Sequence, residues 1–172
     1  DKSTGELLLR GPFVMKGYHN QPEMTAEVID EEGWLHTGDI ARLDSTNHLY
    51  ITGRIKNMIV LNGGKKVFPE EVEAVLEKSN YVAEVCVLGT SRTFGAKDGT
   101  EEVTAVIVPK SELYSSYSEE DIERMIRVEV KSLSERLAQY KRPTNIVISK
   151  DELPKTTTRK VKRKDVRELI KL

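Results

Sequence analysis

The sequence is short of cysteine, histidine and long apolar runs, and each shortage excludes a class of protein. Its single cysteine, Cys86, rules out an internal disulfide framework and fits a reducing compartment. Within the run Val85-Cys86-Val87-Leu88 this thiol reads as part of an apolar core, where desolvation raises its pKa and blunts its reactivity. His19, His36 and His48 are scattered, with no H-x-x-x-H pair and no second cysteine, so no zinc site is expected. No apolar run approaches the roughly 20 residues of a membrane span, and no signal peptide is visible, so a cytoplasmic location and no transmembrane segment are expected. An excess of either charge is also lacking. Lysine and arginine number 27 against 28 aspartates and glutamates, which gives no global reason to expect nucleic acid or an anionic membrane as the main partner. No G-x-S-x-G elbow accompanies a triad, and Asn62-Gly63-Gly64-Lys65-Lys66 lacks the spacing of a phosphate-binding P-loop. The chain opens at Asp1 without an initiator methionine, in what reads as the middle of a strand-and-turn region, so a part of a longer polypeptide is expected.

What is present is a globular composition, 172 residues with 38% apolar and 32% charged side chains, enough for one domain or two small ones. Residues 1–52 read as short strands and turns, with "ELLLR" and "HLYIT" as strands and "QPEMTAEVI" as a short helix carrying Pro22 in its first turn. The pattern changes near "TGRIK". From there "NMIVL" and "KKVF" read as strands joined by a tight Asn62-Gly63-Gly64 turn, and "PEEVEAVLEKS" as a helix with Val72, Val75 and Leu76 on one face. "AEVCVLG", "EVTAVIVP" and "NIVIS" are apolar strands, and "TSRTFGAKDGTE" is a polar loop between the first two. Ser118 is a helix cap before a stripe of Ile122, Met125, Ile126, Val130, Leu133 and Leu137, and "DVRELIKL" closes the chain as a helix. The second part thus alternates strands and helices around a small sheet, while the first is mainly β.

Three places carry polar residues that could do chemistry. In "WLHTGD", Gly38 frees the backbone and Asp39 follows at once, a placement that can present a carboxylate to paired ribose hydroxyls or cap its own turn. Arg54 follows Gly53, where a guanidinium fork could hold a phosphate or ribose. The run "LPKTTTRKVKRK" at residues 153–164 packs six basic side chains near the end of a charge-balanced chain. It lacks the interleaved aromatics of a single-strand clamp, so no nucleic-acid partner is expected.

Taken in order, "GELLLRGPFVMKGY", "GWLHTGD", "GRIKNMIVLNGGKKVFPEEVE" and "LPKTTTRKVKR" resemble the closing motifs of the adenylate-forming superfamily of acyl-CoA synthetases, peptide-synthetase adenylation domains and luciferases. The likeness is nearest to AMP-forming long-chain fatty-acid CoA ligases and covers essentially the whole chain. It implies an α+β fold: residues 1–52 as a β-rich end of a large N-terminal domain, a hinge at 53–56, and a mobile C-terminal domain over 57–172 with a small sheet flanked by helices. It implies ATP, fatty acid and coenzyme A as substrates, with AMP released. Mg2+ is implied as cofactor, with its ligands, the phosphate loop and the acyl pocket in the preceding domain. That domain is an implied partner, as is peripheral membrane contact by the whole protein.

Residue by residue, the resemblance implies that Lys160 is the adenylation lysine, that Asp39 and Arg54 bind the nucleotide's ribose region, and that Lys56 is the hinge. Gly63, Gly64 and Lys65 would line the channel for coenzyme A. The basic residues around Lys160 (Lys155, Arg159, Lys162, Arg163 and Lys164) are expected to be a solvated flank. Arg159 stands where the family usually has glycine, which predicts a differently shaped loop. The chain alone is expected to be inactive. Two other classes stay open, an adenylation domain that loads a carrier protein and a stand-alone binding module.

Overall fold

A computed structural model describes residues 4–91 and 101–170. The expected polar loop falls largely on residues 92–100, outside the described residues. The chain forms two compact units, Asp1–Lys56 and Asn57–Leu172.

The first unit is a three-stranded antiparallel sheet in the order β1-β2-β3, from β1 (Thr4–Leu9), β2 (Leu35–Leu43) and β3 (Leu49–Arg54). A five-residue helix α1 (Pro22–Ala26) lies in the connection between β1 and β2, started by proline at its first turn. The β2–β3 turn is held by Asp44, whose Oδ1 accepts from the amides of Thr46 at 2.8 Å and His48 at 2.9 Å. Among the described residues of this unit Ala41 is the only buried hydrophobic side chain, while Leu43, Leu49, Tyr50 and Ile51 are exposed. Its sheet therefore leaves apolar surface without a packing layer of its own.

The second unit begins with the hairpin β4 (Ile59–Val60) and β5 (Lys66–Val67), then α2 (Pro69–Leu76). Its central sheet has the order β6-β7-β8, from β6 (Val82–Ser91), β7 (Glu101–Pro109) and β8 (Asn145–Ile148). β6 and β7 pair antiparallel, and β7 and β8 parallel across the crossover helix α3 (Glu119–Ser134). Parallel strands need such a crossover, because a tight hairpin cannot join them. The chain ends in α4 (Arg163–Leu169).

Both faces of this sheet are buried, which is why its strands read as near-continuous apolar runs. Val85 and Val87 of β6 and Val103, Ala105 and Ile107 of β7 pack on one side with Val72 and Leu76 of α2 and Ile122, Ile126 and Val130 of α3. The alternate positions Cys86, Leu88, Val106 and Val108 pack on the other side with Leu153 and Val166 of α4. Successive strand side chains point to opposite faces, so one strand serves two cores. Ser118 caps α3 as expected, its Oγ accepting from the Asp121 amide at 3.2 Å. No helix among the described residues is long and apolar enough to cross a membrane.

Candidate active site

In the first unit the structure brings Asp39 and Arg54 together. They are cross-strand partners in β2 and β3, and Arg54 Nε meets Asp39 Oδ1 at 2.8 Å. The second arm of the guanidinium, Nη2, donates to the Thr37 carbonyl at 3.0 Å, so the fork spans the kink that carries Asp39. Where a simple turn was expected at Gly38, the chain runs on as a nine-residue strand with an irregular interior. Gly38 sits at φ +68°, and a Cβ there would find no atom nearer than Arg54 Nη2 at 3.8 Å. Backbone conformation rather than space is what calls for glycine.

Two residues that sequence reasoning missed hold this kink. Thr37 Oγ1 donates to the Leu7 carbonyl at 2.8 Å and accepts from the Asp39 amide at 3.1 Å. Glu6 accepts from the Gly38 amide at 3.1 Å and pairs with His36 Nδ1 at 3.1 Å. His36 Nε2 lies 3.6 Å from Asp30 as well. The Glu6 hydrogen bond, helped by Asp30 and opposed by partial desolvation, raises the His36 pKa above its ordinary value of 6.5.

Lys56 ends the first unit, exposed in a single helical turn over Ile55–Asn57. The hairpin after it closes through Gly64 N–H to the Leu61 carbonyl at 3.0 Å and Leu61 N–H to the Lys65 carbonyl at 2.9 Å. Gly63 and Gly64 take φ of +83° and +75°, which side-chain-bearing residues rarely adopt. Lys65 Nζ stands 5.0 Å from the Tyr140 ring centroid, a cation–π contact that leaves its exposed ammonium at the hairpin's end.

Lys160 lies on a second hairpin. Lys155 and Val161 form its bridge, Thr156 N–H donates to the Lys160 carbonyl at 2.8 Å, and Arg159 N–H donates to the Thr156 carbonyl at 2.9 Å. Arg159 takes φ +61°. A three-residue loop ending in a left-handed residue is a regular hairpin form, and here an arginine supplies that residue. A residue with a Cβ carries a strain at this φ that glycine would not. Lys160 itself is exposed, with no ion-pair partner among the described residues.

The expected solvated flank is also corrected, because two of its members are structural. Lys155 is ion-paired with Glu84 and, at 3.2 Å, with Glu152. Arg163 forms a bidentate pair with Glu73, its Nη2 at 2.7 Å from Oε2 and its Nη1 against Oε1. It reaches Glu70 at 3.2 Å and donates to the Val87 carbonyl at 2.8 Å. Burial works against this cation, but the Glu73 carboxylate more than offsets it and raises its pKa further. Glu73 also accepts from the Val87 amide at 2.7 Å, so the pair covers both backbone groups of one residue on the edge strand β6. The signal available in the sequence was α2 itself, which carries Glu70, Glu71 and Glu73 with no basic residue in its last turn. Carboxylates beside buried Val72 and Leu76 needed cations from elsewhere.

Chemically, one unit presents a carboxylate fixed by a guanidinium, and the other a free ammonium on a braced hairpin. Residues 71–160, more than half the chain, match the family described as the AMP-binding enzyme C-terminal domain. The medium/long-chain-fatty-acid–CoA ligase FadD8 of Mycobacterium tuberculosis is 40% identical over 95% of this chain and 27% of its own. The indoleacetate–CoA ligase of Aromatoleum aromaticum is 37% identical over 98% of this chain and 30% of its own. The ATP-bound RpMatB-BxBclM chimera B1 superposes with a TM-score of 0.79 at 30% identity, over 98% of this chain and 31% of that one. The chain spans less than a third of the length of these relatives. It belongs to the family of AMP-binding enzyme C-terminal domains.

Proposed function

We propose that this chain is the closing part of an AMP-forming acid–CoA ligase whose substrate is a fatty acid. The observation that carries the reading is Lys160, an exposed ammonium without an ion-pair partner among the described residues, on a hairpin whose flanks are tied down by ion pairs. The relatives act on fatty acids and on indoleacetate alike, so the acid-activating chemistry is the firmer element, and the likeness to FadD8 supports a fatty acid.

In the first half-reaction a carboxylate oxygen attacks the α-phosphorus of ATP, a P–O bond forms, and the bond to pyrophosphate breaks. Lys160 neutralises the negative charge that gathers between the two anions, a contribution of about 10²–10³ in rate for one well-placed donor. Asp39 accepts from the ribose hydroxyls, and Arg54, which already occupies one carboxylate oxygen, keeps it aimed. In the second half-reaction the thiol sulfur of coenzyme A attacks the acyl carbon, the C–O bond to AMP breaks, and the thiol proton departs. Lys56 is the hinge about which the second unit turns between the two reactions, and Gly63, Gly64 and Lys65 line the path of the pantetheine arm. Glycines suit such a path because a thin chain passes close to backbone. Among the described residues no three metal-ligating side chains converge, and the ligands for Mg2+ lie in a preceding domain. The phosphate loop and the acyl pocket belong to a preceding domain, which also covers the exposed apolar side chains of the first unit, and the chain alone is inactive.

The test is Lys160→Ala in the full-length protein. Fatty-acid-dependent ATP–pyrophosphate exchange should fall by at least about 10²-fold, while thioester formation from supplied acyl-adenylate persists. Unchanged exchange would refute the assignment of Lys160, and transfer to a carrier protein but not to coenzyme A would move the reading to a carrier-loading adenylation domain.

A further inference from the structure

The structure assigns Arg163 a role beyond packing: we infer that it is a positioning residue that fixes the Lys160 hairpin on the edge of the central sheet through Glu73, Glu70 and the Val87 carbonyl. The inference rests on the proposed function of Lys160. Three observations carry it. Arg163 is three residues beyond Lys160, at the first position of α4, so its backbone sets where the returning arm of the hairpin ends. Its two Nη groups make two bonds to Glu73, one to Glu70 and one to Val87, with Cys86 Sγ at 3.5 Å from Nη1. Finally, its partners lie on two other elements, α2 and β6, and Glu70 in turn accepts from Asn57 Nδ2 at 2.6 Å.

That last bond extends the network to the residue that follows Lys56. One polar chain therefore runs from Asn57, the first residue of the second unit, through Glu70 to Arg163 and the hairpin that carries Lys160. On the opposite arm Lys155 meets Glu84, and Glu84 also accepts from the Leu153 amide at 3.0 Å. Both arms hang from the edge of β6, one by a lysine and one by an arginine fork. The fork is the more directional of the two, because its planar geometry binds a carboxylate and a carbonyl at once and an ammonium cannot copy it.

If Arg163 positions Lys160, its loss must affect the half-reaction that uses Lys160 and spare the other. In the full-length protein, Arg163→Met should lower acid-dependent ATP–pyrophosphate exchange by about 10²-fold, as an ångström-scale misplacement of a reacting group does. Thioester formation from supplied acyl-adenylate should be unchanged, Arg163→Lys should recover part of the loss, and Lys164→Met, an exposed neighbour, should behave as wild type. Glu73→Gln, which keeps the shape of its side chain, should reproduce the split and decides the matter if Arg163→Met does not fold. Equal loss in both half-reactions, or loss in neither, would overturn the inference. Amide hydrogen exchange in the same proteins separates it from the functional reading. The Thr156, Arg159 and Lys160 amides, bonded within the hairpin, should lose protection in Arg163→Met while β6 and β7 keep theirs. Wild-type protein that activates no carboxylate would refute the proposed function, and unaltered exchange at these three amides would refute the positioning role whatever the activity.

Discussion

Arg159 offers a test of the hairpin that needs no knowledge of substrate. It holds φ +61° at an exposed position. An L-residue in the left-handed region costs about 1–2 kcal/mol relative to the right-handed one. Glycine there escapes that cost, but it frees the unfolded chain by about 0.4–1 kcal/mol, which works the other way. Arg159→Gly should therefore stabilise the second unit by about 0.5–1 kcal/mol, a rise in Tm of about 2–4 °C per kcal/mol for a chain of this size. Arg159→Val must place a β-branched side chain at the same φ and should destabilise by about 1–2 kcal/mol. Loss of the arginine side chain itself contributes little, since it is exposed and makes no ion pair among the described residues.

Urea unfolding followed by far-UV circular dichroism is the assay. Its helical signal comes mainly from α2, α3 and α4, because α1 has only five residues, so the transition reports on the second unit. The order Gly above Arg above Val is the expected result. A valine variant as stable as wild type, or a glycine variant clearly less stable, would refute the left-handed assignment and with it the regular hairpin that presents Lys160.

Two further outcomes are expected. Because His36 is held charged by Glu6 and Asp30 and its folded-state pKa is raised above 6.5, its contribution to stability is fully present below that ordinary value and is lost as pH rises through the raised one. Urea titrations followed by the fluorescence of the sole tryptophan, Trp34, should show the first unit weakening across that window, and His36→Gln should remove the dependence. Burial pushes the Cys86 thiol up to about 11, so a thiol reagent at about pH 8 should leave native protein unlabelled and react only after unfolding. Rapid labelling of native protein would mean that the α4 side of the sheet is open.

The second unit was the more legible of the two, and the reason is periodicity. The stripe from Ile122 to Leu137 and the apolar runs around Cys86 and Val106 mark elements buried along a face or on both faces, which leave a strong pattern. β2 was missed because its residues do not alternate. Thr37, Gly38 and Asp39 interrupt it, and their backbone and side chains bond to Leu7, Glu6 and Arg54, partners the local pattern does not reveal. The same limit hid Arg163. Its neighbours Lys162 and Lys164 are exposed, and only the fold brings it to Glu73, 90 residues earlier in the chain. A run of like charges reads as solvated when partners that distant are invisible.

That division within the basic run explains how one lysine can be free and yet well placed. Fixing a backbone residue costs about 1–2 kcal/mol, so a slack loop over Thr156–Lys160 would forfeit on the order of 5–10 kcal/mol each time it engaged a phosphate. With Lys155 and Arg163 already anchored, and with Thr156 and Arg159 bonded across the hairpin, that ordering is complete in the folded unit. What is left to order on engagement is the Lys160 side chain, worth about 2 kcal/mol of rotamer freedom. The choice of residue type follows from the same reasoning. An arginine fork stands where several fixed acceptors converge, and a compact, strongly hydrated ammonium stands where, on the proposed function, a diffuse charge has to be met only in passing. Exchanging the two, with lysine at 163 and arginine at 160, would keep the net charge but leave only part of the anchoring at 163 and replace the compact ammonium at 160.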